Sequence, residues 1–142
     1  MPFLVDTCVI SELYKKAPDA HVRRAVDSQK AEDLYVSVMS LAEIRRGILL
    51  LSVGQRRREL EQWTEVTENG YRDRILSVDL QIAKTWAERA ASAHLRGRQI
   101  GLADGLIAAT AIRYGLTVMT RNVRDFEPTG VALMNPWLPT PG

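Results

Sequence analysis

The stretch MPFLVDTCVISEL, residues 1–13, decides how the rest of the chain reads. Phe3, Leu4 and Val5 form a short apolar run of the kind that makes a buried strand, and the run stops on an acid, Asp6, with Thr7 behind it. A helical segment through Ser11 and Glu12 follows. A strand that ends on a carboxylate and turns into a helix opens a βα unit, whose strand carboxyl end faces the usual ligand crevice of a parallel sheet. Asp6 therefore has two readings: a group facing that crevice, or an N-cap for the next helix, a role for which Ser11 also competes.

Outward from this unit, further strand-like runs fall at 34–38, 75–78, 116–120 and 131–134. Helical spacing fills the gaps. DAHVRRAVDSQ follows Pro18, GQRRRELEQWTEVTENG lies between two glycines, DLQIAKTWAERAASAHL opens on Asp79 as an N-cap, and LADGLIAATAIRYG ends on Gly115 as a C-terminal stop. Short apolar strands alternating with helices predict an α/β fold, a three-layer α/β/α sandwich with a mainly parallel sheet. It is expected to occupy residues 1–136. The prolines of NPWLPTPG argue against another helix or central strand and mark 137–142 as a C-terminal tail.

Composition narrows the classes. At 142 residues, 46% hydrophobic and 25% charged, the chain suits one domain with its own core. Cys8 is the only cysteine, which excludes an intramolecular disulfide, and no Cys/His spacing suggests structural zinc. No secretory layout opens the chain and charges interrupt every apolar run, so a cytoplasmic protein without a membrane partner is expected. Net charge is only +2, yet Lys and Arg number 19, many adjacent, which permits phosphate binding without requiring it. Arg56 to Arg58 read as a solvated helix face.

Four acids stand at informative places. Besides Asp6, Glu43 follows the second strand-like run, where Ser40 and Glu43 also match the S-x-x-E capping box. Asp104 sits in the first turn of a helix apolar nearly all round, where the helix dipole favours its charge but burial penalises it. Asp125 lies past the fourth run, in a segment with Asn122 and Pro128 that equally suits a plain turn. If these four converge, their repulsion calls for a divalent cation, and hard oxygen donors suit Mg²⁺ or Mn²⁺. Such an ion activates water for in-line attack on a phosphodiester, so hydrolysis of a nucleic-acid phosphate is the natural chemistry.

With these residues in view, LVDTCVISEL, SVMSLAEIRRG, LADGLIAATA and VMTRNVRDF together resemble PIN-domain proteins, specifically the VapC and FitB-like toxin ribonucleases of bacterial toxin-antitoxin pairs. The resemblance runs from about Phe3 to Pro136. It implies Mg²⁺- or Mn²⁺-dependent cleavage of RNA by an acidic pocket of Asp6, Glu43, Asp104 and Asp125, with Asp6 and Asp104 as main metal carriers. Thr7, Thr120, Asn122, Arg46 and Arg121 become accessory candidates, and Arg124 also flanks the pocket. It further implies a homodimer held inactive by a cognate antitoxin protein, with operator DNA bound only through that antitoxin. Cys8 stands where many relatives have asparagine, and Gly105 where alanine or serine is commoner.

Two other readings remain. A catalytically idle PIN-like module would bind a partner protein or nucleic acid, though nothing would then keep four repelling acids together. A receiver or haloacid-dehalogenase domain also carries an acid after its first strand, but Cys8 and Arg121 occupy positions where those patterns want aspartate and lysine. Trp63 and Trp86 read as core or dimer packing rather than base-stacking platforms, Glu12 matches an acid often seen in the subfamily but equally suits an exposed helix face, and His21 and His94 read as ordinary helix residues.

Overall fold

The structure, a computed structural model, describes residues 2–139. Five strands form one sheet: β1 (Phe3–Val5), β2 (Leu34–Ser37), β3 (Ile75–Leu76), β4 (Thr117–Met119) and β5 (Leu133–Met134). Their order is β3-β2-β1-β4-β5 and every pairing is parallel, with Phe3 beside both Leu34 and Thr117. The helices are α1 (Thr7–Tyr14), α2 (Ala20–Asp27), α3 (Val38–Leu49), α4 (Gln55–Gly70), α5 (Leu80–Leu95), α6 (Leu102–Tyr114) and the single turn α7 (Val123–Phe126).

Period-two alternation in the strands makes two cores. Phe3, Val5, Val36 and Met119 face the side covered by α1 and α2, packing with Val9, Ile10 and Val22. Leu4 and Val118 point the other way, onto Ile107, Ala108 and Ala111 of α6 and Phe126 of α7. The three-layer expectation therefore holds, and the sheet is parallel throughout. Being buried on both faces explains why the strands read as continuous apolar runs.

From β1 the chain steps outward through β2 to β3, then returns to place β4 on the other side of β1. The order reverses between β1 and β4, and the crevice beyond their carboxyl ends is where ligands of open α/β sheets settle.

Local chemistry accounts for most helix ends. Asp19 caps α2 through His21 N and Val22 N, Asp79 caps α5 through Ile82 N at 2.9 Å, and Gly115 closes α6 with φ 67°. The capping box at Ser40 is not there. Ser37 caps α3 instead, accepting from Met39 N at 3.0 Å. Ser40 lies inside the helix, its buried Oγ without a partner among the described residues. Ser11 likewise sits within α1 and caps nothing. Glu12 is buried rather than on an exposed face, accepting from Asp19 N at 3.0 Å and from Lys15 Nζ at 2.9 Å, so it ties α1 to the start of α2. The tail begins as a turn at Asn135–Leu138 whose Trp137 packs against the first core; residues 140–142 of the expected tail lie outside the described range.

Candidate active site

At the crevice, Asp6 N donates to Met119 O at 3.0 Å, which locks the ends of β1 and β4 side by side. Asp6 is 3% exposed. It occupies the N-cap position of α1, yet its side chain caps no helix N–H. The carboxylate faces the end of β4 instead, where the wholly buried Thr120 donates its hydroxyl to Asp6 Oδ2 at 2.8 Å. Thr120 Oγ1 in turn accepts from Asn122 N at 2.9 Å. One hydroxyl thus links the acid after β1 to the turn after β4, and the N-cap reading of Asp6 gives way to the crevice reading.

Cys8 joins the same cluster. Its Sγ lies 3.5 Å from Asp6 Oδ2 and 3.6 Å from Thr120 Oγ1, and accepts from Arg121 N at 3.5 Å. Burial pushes the thiol pKa up, and the charge of Asp6 adds to the rise. Cys8 is therefore a protonated, weak donor toward Asp6.

The remaining acids arrive from other elements. Glu43 projects from the second turn of α3, exposed, and accepts from Thr7 Oγ1 at 2.9 Å. Asp104 is half-buried in the first turn of α6. Asp125 is exposed on α7, a helix begun beyond Asn122. The four are close enough to act on one another. Burial first, and then the charges of Asp6, Asp125 and Glu43, together raise Asp104 from the ordinary 3.8 to about 6.

A raised carboxyl has a definite signature in stability. The native chain keeps a proton on Asp104 that the unfolded chain releases, so the contribution is fully present below pH 3.8 and lost as pH rises through about 6. In buffer free of divalent ions, the urea midpoint of the wild type should fall relative to Asp104→Asn between about pH 4 and about pH 7. Parallel curves would mean that Asp104 carries no penalty from its neighbours.

The donor set fits a hard divalent cation: all four groups are carboxylates, and their mutual repulsion is what a cation relieves. It does not make an all-protein cage. Among the described residues, no group of three or more His, Cys, Asp and Glu side chains is gathered to ligate one ion. That leaves the mode in which one or two carboxylates hold the ion and water completes its shell. Of these four, Asp6 and Asp104 are the most enclosed.

Of the accessory candidates, Thr7, Thr120 and the Asn122 backbone touch the cluster directly. Arg46, on the last turn of α3, and Arg124 form no ion pair with the acids among the described residues. Arg121 is present through its backbone, while its guanidinium lies over Trp137. Gly105 now has a reason: a Cβ there would stand 2.6 Å from Trp86 Cδ1 and 3.0 Å from Ile100 Cγ2, so α5 packs on α6 beside Asp104 only if this position lacks a side chain. Sequence spacing carries no sign of that contact. A groove of about 370 Å³ also opens beside Thr7 and Glu43, walled by Tyr14, Ile44, Leu60 and Trp63.

The chain shares its fold with known proteins. The family described as PIN domain matches residues 3–130. A protein named VapC ribonuclease in Sinorhizobium fredii is 39% identical over 137 residues, covering 96% of this chain and 98% of its own length. Toxin FitB of Neisseria gonorrhoeae is 38% identical over 135 residues, 94% of this chain and 97% of its own. Among solved structures, FitAB bound to a DNA fragment superposes with TM-score 0.89 at 37% identity, over 96% of each chain.

Proposed function

The chain belongs to the PIN-domain family, and from that premise we propose that it is a divalent-metal-dependent endoribonuclease, a toxin held inactive by a cognate antitoxin. The observation that carries the reading is four carboxylates close enough at the β1–β4 crevice to act on one another: burial first, and the charges of Asp6, Asp125 and Glu43 with it, raise the Asp104 pKa to about 6. Such an arrangement opposes folding and has a purpose only where positive charge arrives.

Asp6 and Asp104 would hold the ion, Mg²⁺ or Mn²⁺, with Glu43 and Asp125 acting through bound water or on a second ion. When bound, the ion supplies an activated water and offsets the charge that grows on the phosphate during in-line attack. Thr120 fixes Oδ2 of Asp6 by its 2.8 Å hydrogen bond. Thr7 does the same for Glu43, holding Oε1 at 2.9 Å. Asp104 is ionised at neutral pH but gains a proton below about 6, so cleavage should decline as the medium is acidified through that value. The nucleophile is water, and no Ser/His or Cys/His pair is required.

A partner of this type is supported by the relative solved as a FitAB assembly on DNA. For this chain we assign the antitoxin's covering segment to the groove between Thr7, Glu43 and Trp63, where it would shield the acids. The chain itself acts as a homodimer, and operator DNA is reached only through the antitoxin.

The test is cleavage of single-stranded RNA by the antitoxin-free chain, with chelator and after adding back Mg²⁺ or Mn²⁺. Cleavage restored by the ions and absent in chelator is expected. Well-folded protein that binds no Mn²⁺ and leaves RNA intact would return the chain to the idle binding module.

A further inference from the structure

We propose that the C-terminal turn belongs to the substrate apparatus: Trp137 holds the guanidinium of Arg121 beside the acid cluster, where it takes a phosphate of the RNA strand next to the scissile one. This rests on the nuclease reading for its substrate, but its geometry stands apart from that reading.

Arg121 begins at the site. It follows Thr120 directly, and its N–H reaches Cys8 Sγ, both of which touch Asp6. Its side chain then leaves the carboxylates. The guanidinium carbon sits 5.2 Å from the centre of the Trp137 ring. The ion pairs among the described residues are Lys15–Glu12, Arg23–Asp27 and Arg57–Glu61, and none uses Arg121 or the four acids. The guanidinium of the residue that follows Thr120 is thus unpaired with any of the four acids, and its side-chain N–H groups have no acceptor among the described residues.

The stacking partner is fixed. Trp137 N donates to Asn135 Oδ1 at 2.9 Å, closing the turn behind β5, and the indole packs against the core cluster that includes Val5 and Val9. A guanidinium lying over a ring is held without spending its N–H groups on acceptors, so its donors stay available for contact with a phosphate. Stacking also pre-orders a long side chain whose rotamer freedom binding would otherwise remove. Arg74 shows the contrast. It too lies over an aromatic ring, Tyr71, but its donors are committed to Leu34 O and Gly70 O at 2.9 and 2.8 Å, which makes it a brace.

Electrostatics gives the need. An RNA backbone approaching clustered carboxylates is repelled, and an ion held between them offsets only the phosphate that it contacts. A fixed cation one residue beyond Thr120 compensates the neighbouring phosphate.

The test uses a fluorescein-labelled single-stranded RNA, with affinity read by anisotropy in chelator and kcat and KM read with Mg²⁺. Arg121→Gln should weaken binding about tenfold, raise KM with kcat nearly unchanged, and lower the slope of log Kd against log salt by about 0.7. Trp137→Leu should weaken binding about threefold to fivefold, and Trp137→Phe, which keeps a ring under the guanidinium, should recover most of that loss. In the Arg121→Gln background, Trp137→Leu should add almost nothing. Equal losses in both backgrounds would overturn the proposal, because Trp137 would then act through packing alone. Coupled loss of binding in a chain that cleaves no RNA would remove the nuclease reading and leave the clamp. Asp104-dependent cleavage with affinity and salt slope unmoved by Arg121→Gln would do the reverse.

Discussion

Asp104→Asn is expected to lower RNA cleavage by about a thousandfold or more, on the order of 4 kcal/mol in the barrier, while the fold persists. The substitution keeps size and shape at the start of α6 and removes one negative charge. That charge is the one most opposed by its surroundings, since burial and three other acids all raise its pKa. Removing it relieves repulsion, so the variant should melt no lower than the wild type near neutral pH without divalent ions. On the proposed nuclease reading, the same step removes a group that would hold the cation. Loss of activity with equal or higher stability separates a working acid from a structural one, because deleting a structural acid lowers both. Initial rates on a gel, paired with melting curves in chelator, measure the two quantities. Cleavage within about tenfold of the wild type would remove Asp104 from the site.

Phe126→Ala should cost about 3–5 kcal/mol of the 5–15 kcal/mol typical of a domain, read as a drop in the urea midpoint at unchanged slope. Phe126 is fully buried and packs with Leu4, Ile107, Val118 and Val131. It is also the anchor of α7, a single turn that cannot persist on its own hydrogen bonds. Thr129 Oγ1 donates to Phe126 O at 2.6 Å, and two arginines of the α5 region, Arg89 and Arg96, donate to Thr129 O and Pro128 O at 2.9 and 3.0 Å. Asp125 rides on this small unit. A loss below about 1 kcal/mol would show that the arginines, and not the aromatic ring, hold α7 in place.

What the sequence made legible, it did through short-range pattern. The run Phe3–Val5 is the strand as observed, and Gly115, Asp79 and Asp19 end or begin their helices as their chemistry requires. The placement of Asp6 followed from the rule for strand carboxyl ends. Ser40 misled because S-x-x-E is a local match, whereas the helix start was set by a distant event: Ser37 pairs with Leu76 of β3, and the chain turns into α3 immediately after. Thr120 was visible only as a neighbour, since its hydroxyl meets an acid 114 residues away. The fit of Trp86 against Gly105 and the stack of Arg121 on Trp137 have no periodic signature, because each depends on two elements meeting in space. The tail boundary drawn at residue 136 passes through that second contact.

The central position of β1 has a consequence for how the chain is made. Its first three strand residues wait for Thr117–Met119 as a neighbour, and Asp6 for the hydroxyl of Thr120, so the ribosome must release most of the polypeptide before the hollow exists. An unfinished nascent product therefore lacks the hollow, and the acids meet only when translation is nearly complete.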